Sequence, residues 1–439
     1  MRIVLLSTYE LGRQPFGLAS PAAGLRAWGH EVTLADLARG PFPWLEIQKA
    51  ELVAFYLPMH TATRLALHAI DRVRSLNPEA RLCAFGLYAP MNADYLREKG
   101  VGAILGGEFE PALVDLANTG REPPSAISLE RQRFLTPDRA GLPPLSAYAK
   151  LLGNGAPKLV GYTEASRGCK HLCKHCPVVP VYNGVFRIVQ RDVVLADVRQ
   201  QVAAGAEHIT FGDPDFFNGI GHAVPLIEAL HAEFPRVTYD ATIKIEHLLK
   251  HREVLPILRC TGCLFIVSAV ESVDDAVLSK LAKGHTRADF EEALRLTRQA
   301  GLHLSPTFIP FTPWTTLESY RDLLRAVRDL DLPDSVAPIQ LAIRLLIPAG
   351  SLMLELDEIR RLVEPFDPEA LCYRWKNPDP DVDRICSEIG DLVQREAARP
   401  RPEVFRKIWE LAFDASSAPP DFHLPARATV PYLNEPWYC

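Results

Sequence analysis

With 439 residues the chain is long for one domain and comfortable for two or three, and 48% hydrophobic against 23% charged residues excludes wholesale disorder. A formal net charge of -6 at pH 7 leaves no basic footprint and argues against nucleic acid as the main partner. No apolar run reaches the roughly 18 residues that a membrane span needs, and nine cysteines, three of them within eight residues, suit a metal site in a reducing, cytoplasmic compartment better than a disulfide framework.

The opening Met1-Arg-Ile-Val-Leu-Leu-Ser runs into Thr8-Tyr-Glu without a small-residue cleavage site, so it reads as a first strand and not as a signal peptide. Up to residue 120 short apolar runs at Ile3–Ser7, Glu31–Leu37, Leu52–Leu57, Leu82–Phe85 and Ala103–Leu105 read as strands. Between them Pro21–Trp28, Thr63–Ser75, Ala93–Lys99 and Pro111–Asn118 carry helix-spaced apolar residues. The alternation predicts an α/β fold with a doubly wound, Rossmann-like sheet. A polar, proline-bearing stretch over 121–157 reads as a linker.

From Lys158 the alternation resumes, with strands expected at Leu159–Glu164, His208–Phe211, Val237–Thr242, Cys263–Val270, His303–Ile309 and Ile339–Leu346. Helical segments at Val193–Ala204, Ala223–Phe234, Glu253–Leu258, Asp275–Leu281, Ala288–Ala300 and Leu317–Leu330 separate them, giving a partial (β/α)6 barrel over 158–350 whose chemistry belongs at the C-terminal strand ends. A helical C-terminal extension follows over 351–414, with Leu352–Val363, Pro380–Ala398 and Pro402–Phe413, and a tail over 415–439 closes the chain.

Gly168-Cys169-Lys-His-Leu-Cys173-Lys-His175-Cys176-Pro177 follows the first barrel strand on a loop. Thiolates separated by three and two residues can wrap one corner of an iron–sulfur cube, leaving one iron without a cysteine. Zinc is the alternative, with His171 or His175 as fourth ligand. Strand two ends in Phe211-Gly212-Asp213-Pro-Asp215, and strand four in Ser268-Ala-Val-Glu271-Ser272, followed by Lys283-Gly284-His285. Taken alone, each of these carboxylates suits a helix cap or a solvated strand end.

Together these motifs resemble the radical S-adenosylmethionine (SAM) superfamily. The resemblance implies a 4Fe-4S cluster on Cys169, Cys173 and Cys176, whose open iron chelates SAM and whose electron splits it to a 5'-deoxyadenosyl radical. It places Gly212, Asp213 and Asp215 at the SAM amino group and Glu271 and Ser272 at its ribose and carboxylate. His175 stands where the family usually has an aromatic residue and would pack on the adenine. Asp240, Lys244, Glu246 and Arg344 are expected either in the substrate cavity or in structural ion pairs.

The doubly wound region ending in Gly106-Gly107-Glu108-Phe109-Glu110 resembles the cobalamin-binding subclass. The loop Thr8–Gln14 lacks the D-x-H-x-x-G signature, so cobalamin would be held without a histidine from that loop; otherwise the domain only shapes the active site. Glu10, His60 and Tyr88, at strand ends, are the candidate contacts for corrin or substrate. The resemblance implies radical modification of a small molecule or peptide, including cobalamin-assisted methyl transfer, with an electron donor such as flavodoxin or ferredoxin. The alternative is a non-catalytic iron–sulfur or zinc sensor on the same scaffold. Cys260, Cys263, Cys372, Cys386 and Cys439 could assemble a second cluster, although buried strand or helix thiols are commoner, and Cys83 is expected in the core. The ending Val430-Pro-Tyr-Leu-Asn-Glu-Pro-Trp-Tyr-Cys439 resembles the radical SAM family named for a CUAEP or CCAEP tail, which implies that Cys439 is the first member of a redox pair continued by selenocysteine.

Overall fold

The computed structural model describes residues 1–153, 155–413 and 432–433. Five parallel strands, β1 (Arg2–Ser7), β2 (Glu31–Asp36), β3 (Leu52–Tyr56), β4 (Arg81–Phe85) and β5 (Ala103–Gly107), form the N-terminal sheet in the order β2-β1-β3-β4-β5. Their side chains alternate between two cores. Val4, Leu6, Val53 and Phe55 pack on one face, and Ile3, Leu5, Ala54 and Phe85 on the other. Continuous apolar runs covered on both sides are what a doubly wound sheet requires. Cys83 is buried in the second core.

The stretch read as a linker is stapled to both sheets. Its β6 (Ile127–Ser128) adds to β5, and its β7 (Lys150–Leu152) pairs antiparallel with β8 (Lys158–Thr163). In between, Arg139 donates to Gln14 of the N-terminal sheet's first loop and forks onto the buried Asp197 of the barrel at 2.8 Å. The short β9 (Ser166–Gly168) pairs with β10 (Phe186–Ile188) around the cysteine loop. The barrel sheet continues through β11 (His208–Phe211), β12 (Thr238–Thr242), β13 (Cys263–Glu271) and β14 (His303–Phe308), in the order β14-β13-β12-β11-β8-β7. On β12, Tyr239 and Ala241 join the core beneath the helices while Asp240 faces the lumen.

Five parallel strands make the curled half-barrel; the sixth expected one is reduced to a single bridge between Phe311 and Arg344. Pro338 begins a short 3-10 turn, Pro338–Leu341, and the Gln340 side chain accepts the N–H of Phe308 that a ladder carbonyl would otherwise take. Proline fixes φ and lacks the donor a strand needs, so the apolar pattern of Ile339–Leu346 is spent on packing. Beyond it, Leu352–Val363 splits into a 3-10 turn, Leu352–Glu355, and a six-residue helix, Asp357–Leu362, whereas Pro380–Arg395 and Arg401–Ala412 are regular helices. Tyr432–Leu433 pairs antiparallel with β7 at the sheet edge. Cys439 and the rest of the tail motif lie outside the described residues. No helix among the described residues is long and apolar enough to cross a membrane.

Candidate functional site

The cysteine loop leaves β9 at Gly168, whose φ of 73° is left-handed and whose missing Cβ would lie 2.4 Å from Val185 O and the Tyr182 ring, so only glycine makes this corner. Asn218 braces the loop from below: its Oδ1 accepts the Lys170 N–H at 3.2 Å and lies 3.8 Å from Cys169 Sγ. Lys174 N–H donates to Leu281 O, tying the loop to the end of helix Asp275–Lys280. Burial pushes the Cys176 thiol up to about 12 and raises Cys169, so these sulfurs ionise only with a metal to hold the charge.

Directly beside them stands a buried triad. His175 Nε2 lies 3.1 Å and Lys283 Nζ 3.3 Å from the same oxygen, Glu271 Oε1. Burial alone would raise the Glu271 carboxyl, but the Lys283 charge and the His175 hydrogen bond outweigh it and hold Glu271 down at about 2. Burial likewise opposes the Lys283 ammonium, which the Glu271 carboxylate keeps charged. Glu271 adopts φ 67° at a bulge that ends β13. A left-handed glutamate costs about 1–3 kcal/mol and persists where the surroundings enforce it, most often at functional sites.

The strand-two motif divides its work. Gly212 allows the β11 end to cross Tyr162, whose Oη would lie 2.0 Å from a Cβ there. Asp213 turns away from the cluster loop's opening: it accepts from Ala165 N at 2.9 Å and Ser166 Oγ at 2.5 Å, and burial pushes it up to about 7. It fixes the strand that carries the cysteines. Asp215 caps the turn Phe216–Gly219 and faces His247 Nδ1 at 2.6 Å and His171 Nε2 at 3.5 Å. Burial would raise it, yet the two histidines hold it at about 2. Ser272 Oγ accepts from Asp274 N in a local turn.

Cys169, His171 and Asp215 are the described residues whose donor atoms gather most like metal ligands, within 4.8 Å of one another. Asp215 is already engaged by His247, His171 by Lys244 and Cys169 by Asn218, whereas Cys173 and Cys176 have no hydrogen bond to another side chain among the described residues. Cys260 is exposed and Cys263 is buried with its Sγ toward Phe265 O; with Cys372 and Cys386 they form no such group among the described residues.

A second feature joins the two sheets. The loops that end β1, β3, β4 and β5 meet the barrel across a crevice of about 200 Å³, lined by Glu10, Met59, Leu87 and Gly107 on one side and Tyr162, Glu164 and Gly212 on the other. Glu10 is buried with Oε2 unpartnered, and burial pushes its carboxyl well up. His60 and Tyr88 do not line this crevice. His60 bonds Ala370 O at 2.7 Å and meets Tyr88 edge-on, so their neighbours Met59 and Leu87 take the exposed places. At the crevice wall Arg167, two residues before Cys169, forks onto Glu110 at 2.7 and 2.9 Å and donates to Glu164 at 2.7 Å. The rings of Phe16, Phe109 and Phe134 surround its guanidinium.

Of the other expected residues, Asp240 lines the lumen and is held by His208 and Thr210. Lys244 and Glu246 instead sit under the cysteine loop, Lys244 Nζ lying 3.0 Å from His171 Nδ1. Arg344 is structural, paired with Asp383 at 2.6 Å and stacked on Trp375. Sequence reasoning left out Asn218, Arg167 and His247 as partners. Their only signal was proximity to the motifs, because Asn218 meets the cysteine loop, Arg167 meets Glu110 and His247 meets Asp215 across tens of residues.

Residues 163–327 match the Radical SAM superfamily. The hopanoid C-3 methylase of Methylococcus capsulatus is 26% identical over 320 residues, covering 69% of this chain and 62% of that one. The ribosomal protein uS12 methylthiotransferase RimO of Parabacteroides distasonis is 24% identical over 188 residues, 40% of this chain and 42% of its own. The chain thus spans less than two thirds of the length of these relatives. Among solved structures, the radical SAM methyltransferase TsrM from Kitasatospora setae, with tryptophan and a SAM analogue bound, superposes with TM-score 0.67 at 17% identity over 95% of this chain and 90% of that one. The cobalamin-dependent radical SAM enzyme OxsB, with aqua-cobalamin bound, gives 0.66 at 14% over 90% and 67%.

Proposed function

From the premise that the chain belongs to the radical SAM superfamily, we propose that it is a cytoplasmic enzyme that cleaves SAM reductively to modify a small molecule or peptide. The observation that carries this reading is the loop of three free cysteines packed against Lys283, Glu271 and His175. Cys169, Cys173 and Cys176 would hold a 4Fe-4S cluster, with an electron donor of the flavodoxin or ferredoxin kind. When bound, the cluster supplies the electron that splits SAM. The chain's own part is to hold and orient. Asp213 and Asn218 fix the start of the cysteine loop, Lys283 places positive charge beside the sulfurs, and His175 and Glu271 offer an imidazole face and a carboxylate to SAM, with Asp215 and Ser272 behind them.

The interdomain crevice suits a corrin in its placement, since four strand-end loops of a doubly wound sheet converge there. Glu10, Met59 and Leu87 would be its contacts, without a histidine. When bound, cobalamin supplies a methyl carrier, in line with the methylases and methyltransferases named above. Anaerobically reconstituted protein should be brown, contain iron, and release 5'-deoxyadenosine from SAM with dithionite. Zinc in place of iron after anaerobic purification would sink the proposal and favour a sensor.

A further inference from the structure

Inside the barrel, at the end away from Glu271, lies a cavity of about 300 Å³. The earlier residues of the strands line it, among them Asp240 of β12, Phe265 and Val267 of β13 and Ser305 of β14. Its floor is the start of helix Arg401–Ala412 together with Tyr432–Leu433. The walls are largely apolar; the cation in the floor is not matched to them.

Arg401 gives one hydrogen bond among the described residues, from Nη1 to Asp334 O at 3.0 Å, and its guanidinium lies 4.1 Å from the Tyr432 ring centroid. Among the described residues no carboxylate is within ion-pair distance of it. Arg139, Arg167 and Arg344 by contrast each have a carboxylate partner, Asp197 at 2.8 Å, Glu110 at 2.7 Å and Asp383 at 2.6 Å. Burial lowers the Arg401 pKa, and Tyr432 and the Asp334 carboxylate offset only part of that. The helix it begins, 12 residues long, adds the positive end of its dipole at the same place. A guanidinium, a helix N-terminus and an apolar chamber together select an anion with a hydrophobic body. Arg13 lines both this lumen and the interdomain crevice.

We infer that the lumen binds a small amphipathic carboxylate, its anionic end on Arg401 and its body against Phe265 and Val267. As a binding site this stands by itself; as the substrate class of the enzyme it rests on the function proposed above.

The test is calorimetric titration of the anaerobically reconstituted full chain with octanoate and with octan-1-ol. Octanoate should bind at one site per chain and about tenfold or more tighter than the alcohol, the usual worth of a charge-assisted pair. Arg401→Gln should reduce that preference to about twofold or less, and Arg401→Lys should keep part of it. Ser305→Phe, which fills the lumen and keeps Arg401, should bind neither probe. Equal binding of both probes to the wild-type chain, an unchanged preference in Arg401→Gln, or undiminished octanoate binding in Ser305→Phe would overturn the inference. SAM cleavage by the wild-type chain is measured alongside. Octanoate binding without cleavage removes the radical reading and leaves the pocket, and cleavage without octanoate binding does the reverse.

Discussion

At the scale of single residues the site depends on charges that burial makes expensive unless they are paired. Glu271→Gln would strand the Lys283 ammonium, 4% exposed, next to the cluster loop. We expect SAM to bind more weakly by about 1–3 kcal/mol, roughly five- to 150-fold in Kd by calorimetry, the cost of leaving a buried partner unpaired. Glu358→Gln, which breaks an exposed pair with Lys280 and Trp314, should leave SAM affinity unchanged. Asp213 gives a pH signature. Its folded pKa of about 7 exceeds the ordinary value of about 3.9, so the folded state holds its proton more tightly and ionisation penalises folding as pH rises from about 4 to 7. Asp213→Asn has no such penalty. Its stability relative to the wild-type chain, measured by urea unfolding of the metal-free proteins, should therefore rise by a few kcal/mol between pH 4 and pH 8. A flat difference would mean that Asp213 titrates normally.

At the scale of elements, β9 carries the cluster loop and is held from the N-terminal sheet by Arg167. Burial would raise the Glu110 carboxyl, but the Arg167 charge and fork hold it below the usual range, whereas Glu108 and Glu164 are pushed up by burial. Arg167→Met leaves Glu110 and Glu164 buried without their cation and should cost about 3–5 kcal/mol in urea unfolding; Arg167→Lys, which keeps charge but loses the fork, should fall between. Arg399→Met, which loses only exposed pairs with Glu396 and Glu403, should stay within about 1 kcal/mol of the wild-type chain. The elements themselves were largely legible, because period-two and period-3.6 patterns are local. His208–Phe211 has the expected bounds, and Cys169, Cys173 and Cys176 fall on the expected loop. Ile339–Leu346 was not legible, since Pro338 and the Gln340 side chain decide its path through a contact with Phe308. Nor was the division of labour among the acids. Asp213 lies 47 residues from Ser166 and Glu110 57 from Arg167, and no local pattern says which carboxylate meets a ligand and which meets the chain itself.

At the scale of the whole molecule, the question is what the meeting of the two sheets is for. Four loops of the N-terminal sheet converge on the barrel face that carries Gly212 and Arg167, and they enclose the buried Glu10 carboxyl, whose Oε2 has no partner among the described residues. A buried carboxyl oxygen left without a partner costs about 1–3 kcal/mol, which a ligand that bonds to it would recover. Hydroxocobalamin added during anaerobic reconstitution should therefore stay with the protein through gel filtration, about one per chain, with a spectrum that lacks histidine coordination. Leu87→Trp places a large ring in the crevice, on the N-terminal sheet's side of it, and should abolish corrin retention while the iron content stays that of the wild-type chain. Cys176→Ala should give the opposite pattern, with cluster absorbance lost and corrin retained, because the thiol lies on the barrel loop and the corrin contacts on the other sheet. If corrin is absent from the wild-type chain after gel filtration, the N-terminal sheet serves only to wall the active site. If Cys176→Ala loses both cofactors, the crevice depends on the cluster loop, and Arg167 is then the connection to examine.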